Sequence, residues 1–81
     1  MKKSYKLNLT TVSNVQDFVR ICSKFPFDID VARGRYVIDA KSIMGMFSID
    51  LSKPVDCCFD CDGLSIDDIK AFEDAIAPFI I

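Results

Sequence analysis

FDIDVARGRYVIDAKSIMG, residues 27–45, decides between a parallel and an antiparallel fold. Phe27, Ile29 and Val31 alternate with Asp28 and Asp30, the period of a strand with one apolar face. Ala32-Arg33-Gly34-Arg35 reads as a tight turn in which Gly34 can take a positive φ. RYVIDA then reads as the returning strand. Strands joined by so short a loop pair antiparallel, because a parallel return needs a crossover of about a dozen residues or more.

The neighbouring segments extend this pattern. Tyr5, Leu7 and Leu9 alternate with Ser4, Lys6 and Asn8 and predict a first strand. Ser13 with Gln16 three residues on fits a capping box, so a helix is expected from near Asn14. Val15, Phe18, Val19, Cys22 and Phe25 give it one buried face, and Pro26 stops it. Lys53-Pro54 closes the segment after the hairpin. VDCCFDCD predicts a fourth strand with Val55, Cys57, Phe59 and Cys61 on one face. After a turn at Asp62-Gly63, Ser65 with Asp68 starts a last helix whose buried side is Ile69, Phe72, Ile76 and Phe79. The order is β-α-β-β-α-β-α. Each strand has a single apolar face, so the expected class is α+β: helices over one side of an antiparallel sheet, the other side wet. With no linker or repeat, residues 1–81 are expected to form one domain.

Composition narrows the function. Hydrophobic residues make up 51% of the chain, which suits a globule rather than a disordered segment. No apolar run approaches the roughly 20 residues that span a bilayer. MKKSYKLNL has the charged start of a signal peptide without its apolar core, so a cytoplasmic protein is expected. Residues 1–41 carry eight Lys/Arg and four Asp/Glu, whereas residues 42–81 carry two and eight. Neither half is a basic footprint for nucleic acid. Asp67, Asp68, Glu73 and Asp74 give the last helix a negative surface, but nothing suggests a paired-carboxylate active site. The chain has no histidine, which removes the commonest general base, proton shuttle and metal ligand together. No enzyme activity and no cofactor are implied.

Two groups of residues remain as candidates. On a helical wheel over residues 42–51, Ile43, Met44, Phe47 and Leu51 fall in one arc and Met46 and Ile49 in another. Ser42, Gly45, Ser48 and Asp50 break the ring. A thin two-layer domain cannot bury both arcs, so one is expected inward and the other open to a protein partner. The competing reading is that all of them close the core. Ser42 stands at the expected N-cap, where it is either a cap alone or a phosphorylation site. Gly45 is costly inside a helix, by about 1 kcal/mol against alanine, and suggests a close approach by a partner or by neighbouring backbone. The second group is Cys58 and Cys61, whose CxxC spacing is that of metal or redox sites. On a strand those two point to opposite faces, and no histidine or second pair completes a ligand set. Cys22, Cys57 and Cys61 are therefore expected as core hydrophobes and Cys58 as a partly exposed thiol.

SKF at 23–25, RYVIDAKSIMG at 35–45 and the order of elements resemble HPr, the histidine-containing phosphocarrier protein of the bacterial sugar phosphotransferase system. The resemblance covers essentially the whole chain, and its most specific part is KSIMG followed by an apolar residue. It implies an open-faced β-sandwich, a four-stranded antiparallel sheet with three helices on one face. The family's phosphoacceptor is a histidine before an arginine and a proline at the start of the first helix. It takes phosphate from Enzyme I and passes it to sugar transporters. An ungapped match on SKF puts Thr11 at the histidine, Ser13 at the arginine and Asn14 at the proline. A threonine ester is far more inert than the phosphoramidate of an imidazole, so loss of phosphocarrier activity is expected. The second family element is retained. The serine phosphorylated by HPr kinase/phosphorylase in Gram-positive members matches Ser42, and the docking patch matches Ile43, Met44 and Phe47. Met46 and Ile49 match core positions, and Arg20 and Lys24 match positions that often add basic contacts. The histidine-less catabolite repression HPr is a precedent for regulation on this fold. The resemblance thus implies a non-catalytic regulatory or interaction module. A carrier using Thr11, a redox or metal module through Cys58 and Cys61, and a self-associating domain stay open beside it.

Overall fold

The hairpin forms as its alternation requires. In the computed structural model, which describes residues 2–49 and 51–81, β2 (Ile29–Arg33) pairs antiparallel with β3 (Tyr36–Asp39). Val31 faces Ile38 and Arg33 faces Tyr36, leaving Gly34 and Arg35 to close the turn. Gly34 takes φ +60°, the conformation a two-residue hairpin loop with glycine first demands. β4 (Val55–Asp60) lies on the other side of β2, and β1 (Lys2–Leu7) pairs with β4. All pairings are antiparallel and the strand order is β1-β4-β2-β3.

Strand parity sorts the side chains. Leu7, Ile29, Val31, Val55, Cys57 and Phe59 are buried on one face. Lys2, Ser4, Lys6, Asp30 and Asp60 stand exposed on the other. The helices cover the apolar face. α1 (Val12–Ser23) buries Val15, Phe18, Val19 and Cys22; α3 (Ile66–Ile76) buries Phe72 and Ile76. α2 (Ile43–Met46) buries Met46. The class is α+β, with an open four-stranded antiparallel sheet and three helices. Among the described residues no polar or charged residue is buried, and no helix is long and apolar enough to cross a membrane.

Phe72 is the centre of the core. Its ring meets Phe59 at 5.1 Å, Phe25 at 5.2 Å and Phe27 at 5.7 Å between centroids, each steeply inclined. Edge-to-face pairs of this kind add about 0.5–1.5 kcal/mol each beyond the area they bury. They join α3 to β4 and to the segment between α1 and β2.

Several boundaries differ from the sequence reading. β1 ends at Leu7, and Leu9 is buried in the loop beyond it. α1 is capped by Thr11 rather than Ser13: Thr11 is extended (φ −119°, ψ 156°) and its Oγ1 accepts the Asn14 N–H at 3.0 Å. Thr10, Thr11, Ser13 and Asn14 are all able to cap. Burial of both Leu9 and Val15 leaves a short connection, so the chain must turn helical at once. Cys61 lies past the end of β4, half-buried against the core. α3 stops at Ile76, before Pro78, and Phe79 belongs to a short 3-10 helix, Ala77–Phe79. Ser65 caps α3 as expected, accepting the Asp68 N–H at 3.1 Å.

Phe72→Ala is expected to lower stability by about 3–5 kcal/mol, against no more than about 0.5 kcal/mol for a surface change such as Asp74→Ala, read from urea midpoints.

Candidate functional site

The site is built from the turn that leaves β3. Asp39 Oδ1 accepts the Lys41 N–H at 2.9 Å, and the Asp39 carbonyl accepts the Ser42 N–H at 3.0 Å. The Ala40 N–H donates to the Ile29 carbonyl at 2.9 Å, tying the turn to β2. Lys41 Nζ donates to the Phe25 carbonyl at 2.8 Å, just beyond the C-terminus of α1, where a cation complements the helix dipole. The turn therefore has three anchors before Ser42 is reached.

Ser42 caps α2. Its backbone is extended (φ −97°, ψ 105°), its Oγ accepts the Gly45 N–H at 3.2 Å, and its carbonyl accepts the Met46 N–H at 3.0 Å. Gly45 leaves space for this arrangement. A Cβ there would stand 3.2 Å from Ser42 Oγ and 3.7 Å from Ile38 Cβ. The close approach expected at Gly45 is thus made by side chains of its own chain.

α2 is one turn, shorter than the helix expected over residues 42–51. The Gly45 carbonyl, which a longer helix would offer to residue 49, accepts the Ser48 N–H at 3.0 Å and Ser48 Oγ at 2.6 Å. Propagation stops there. Asp50, placed on the wheel, lies outside the described residues. The two sides separate nonetheless. Met46 is fully buried and Ile49 packs half-buried against the core. Ile43, Met44 and Phe47 are 37%, 80% and 45% exposed, so no part of the described chain covers Met44. Leu51 does not share their arc; it lies beyond the helix and packs against the core.

The fold that carries this turn is found in solved structures. A crystal structure of HPr-C-His from Thermoanaerobacter tengcongensis matches with a TM-score of 0.68 and 28% identity, over 93% of this chain and 91% of that one. The phosphocarrier protein HPr from Bacillus anthracis str. Ames matches at 0.65 and 22% identity, over 98% and 95%. No family model and no curated protein matches the sequence. The chain is HPr-like.

In this HPr-like protein the other candidate residues lie on α1 and β4 and just beyond them. Thr11 is exposed at the start of α1, as its capping role requires. Arg20 is exposed and its Nη1 lies 3.2 Å from Asp17 Oδ1. Lys24 is the C-cap of α1. Arg20 and Lys24 line a hollow of about 450 Å³ with Pro78 and Phe79, to which Ile43, Met44 and Phe47 do not contribute. Cys58 lies on the open face of the sheet with its thiol 3.6 Å from Ser4 Oγ, whereas Cys61 packs against the core, so the pair shares no site. Among the described residues no group of three or more His, Cys, Asp or Glu is placed to hold a metal.

Sequence reasoning missed Asp39 and Lys41. Asp39 carried a usable signal, since aspartate readily bonds the backbone two residues on. The long-range bond of Lys41 to Phe25 had none.

Burial holds three groups protonated. Burial, opposed in part by Lys41, pushes the Cys22 thiol up to about 12. Burial also raises Cys57 far above the ordinary thiol range. Tyr5 is pushed up to about 12 by burial, with the nearby Glu73 carboxylate adding to the effect. Folded values above unfolded ones give a contribution that is complete below the unfolded values and is lost as pH rises through the folded ones. Stability to urea is therefore expected to hold up to about pH 8 and to fall steadily above about pH 9. In the native protein Cys58 and Cys61 should react with a maleimide well before Cys22 and Cys57, as peptide mass mapping would read. Thr11→Ala is expected to cost about 1 kcal/mol and Ser13→Ala only a few tenths, by the same urea assay.

Proposed function

We propose that this HPr-like chain is a non-catalytic regulatory or interaction module related to the sugar phosphotransferase system. It binds protein partners through Ile43, Met44 and Phe47, under the control of Ser42. One observation carries the reading: three adjoining apolar side chains stand exposed directly after a half-buried capping serine, on a chain with no histidine. Exposed methionine and aromatic surface suits an adaptable partner site.

Control would come from an HPr kinase/phosphorylase. The Ser42 hydroxyl takes the γ-phosphoryl group of ATP, its proton leaves to the kinase's base, and ADP departs. The product carries about two negative charges beside the apolar patch and loses the neutral hydroxyl that caps α2. Partners with arginine or lysine near their apolar contact gain from that charge, and purely apolar partners lose.

A second reading has an observation of its own. Thr11 is an exposed hydroxyl at the helix start, the position matched to the family's histidine. Incubation with Enzyme I and labelled phosphoenolpyruvate separates the two: the regulatory module takes no label, and a Thr11 carrier takes label that Thr11→Val removes.

The direct test is an HPr kinase assay with ATP, read by intact mass. One added phosphate on the wild-type chain and none on Ser42→Ala is expected. An unmodified wild-type chain beside an authentic HPr that is labelled would remove Ser42 from the proposal. Alanine at Ile43, Met44 and Phe47 together should weaken capture of any partner recovered by the wild-type chain at least about tenfold; unchanged capture would remove the patch.

A further inference from the structure

The turn that closes the hairpin carries a second feature, independent of Ser42. Arg33, Gly34, Arg35 and Tyr36 line a hollow of about 430 Å³ with Ser48 and Ile49, from the segment after α2. That volume is within the range of small-molecule sites, roughly 300–1,000 Å³. Among the described residues no carboxylate lines it. Among the described residues neither arginine makes an ion pair or a side-chain hydrogen bond; the recorded ion pairs are Lys6–Asp56 and Arg20–Asp17. Arg33 Nε is shielded from solvent and has no hydrogen-bond partner among the described residues. A shielded guanidinium N–H without a protein acceptor is uncommon and leaves a donor that a bound oxygen could satisfy. Register fixes the geometry: Arg33 and Tyr36 are direct cross-strand partners, and Arg35 stands in the turn between them. On a chain of net charge −2 this pairing of cations is not a general basic surface.

We propose that this hollow binds a small phosphomonoester. Arg33 and Arg35 take the phosphate oxygens, and the exposed ring of Tyr36 offers a face to the organic part. Two guanidinium forks match the charge and the oxygen geometry of a phosphate dianion. Ser48 sets the rim and is no donor to the ligand, because its hydroxyl already donates to the Gly45 carbonyl. Inorganic phosphate, a sugar phosphate and a nucleotide share the recognised group, so the probes must separate them.

The test is titration of the whole chain with inorganic phosphate, ribose 5-phosphate and AMP, followed by amide NMR shifts. Saturable binding with a dissociation constant of about 1 mM or tighter is expected, with shifts centred on residues 33–36 and 48–49. Arg33→Gln and Arg35→Gln should each weaken it at least about tenfold, and Lys70→Gln on exposed α3 should not. Arg35 is exposed in a turn, so its variant folds even if the Arg33 variant does not. Equal affinity for all three probes assigns the site to the phosphate alone. Tighter AMP binding that Tyr36→Leu removes assigns it to a nucleotide. Absence of saturable binding by any probe, or equal weakening by Lys70→Gln, overturns the proposal.

Discussion

Phe72 is the contact on which the rest of the structure depends. Its fully buried ring is the only one to touch Phe25, Phe27 and Phe59 together among the described residues. Those rings belong to the end of α1, the entry to β2 and the strand β4. One side chain of the last helix thus fixes where the first helix ends and where the central strands sit. An 81-residue chain has little redundancy in such contacts, because it buries only about 60–65% of its unfolded surface. Phe25 also presents the carbonyl that Lys41 binds, so the packed cluster reaches the turn that aims Ser42.

That chain of contacts explains why so short an element as α2 can be two-sided. A single helical turn cannot hold itself in water. Met46 anchors it below, Ser42 caps its start and Ser48 closes its end. Once those three are set, Ile43, Met44 and Phe47 have no inward position left. Their exposure is the geometric remainder of anchoring one turn by one buried residue, and it places apolar surface next to a hydroxyl.

Much of the fold was legible because it rests on local periodicities. The alternation at 27–31 and 55–59 and the Ser65–Asp68 pair each state their own structure. Thr11 was not legible, because TTVSN offers several competent caps and burial on either side chooses among them. The end of α2 was not legible either, because Ser48 reads as an ordinary polar residue until its bond to Gly45 is seen. The candidate site divides in the same way. Ser42 and its apolar neighbours lie within one local motif, and the family resemblance sharpened them. Arg33 and Arg35 read only as turn residues; the hollow beside them needs Ser48 and Ile49, brought close by tertiary packing. The strand order β1-β4-β2-β3 is likewise a long-range property, which the spacing of the residues does not carry.

The last residues of the chain have a part in the sheet. Phe79 accepts the Asn8 N–H at 2.8 Å, Ile80 pairs antiparallel with Leu7, and the Ile81 N–H donates to the Lys6 carbonyl at 3.0 Å. They form the stub of a fifth strand on the outer edge of β1. Anything joined after Ile81 emerges already in register with that edge, heading along it toward Ser4 and Lys2. An affinity tag rich in β-branched residues would be read by the sheet as more strand, while a proline or a run of glycines at the junction would release it into solvent.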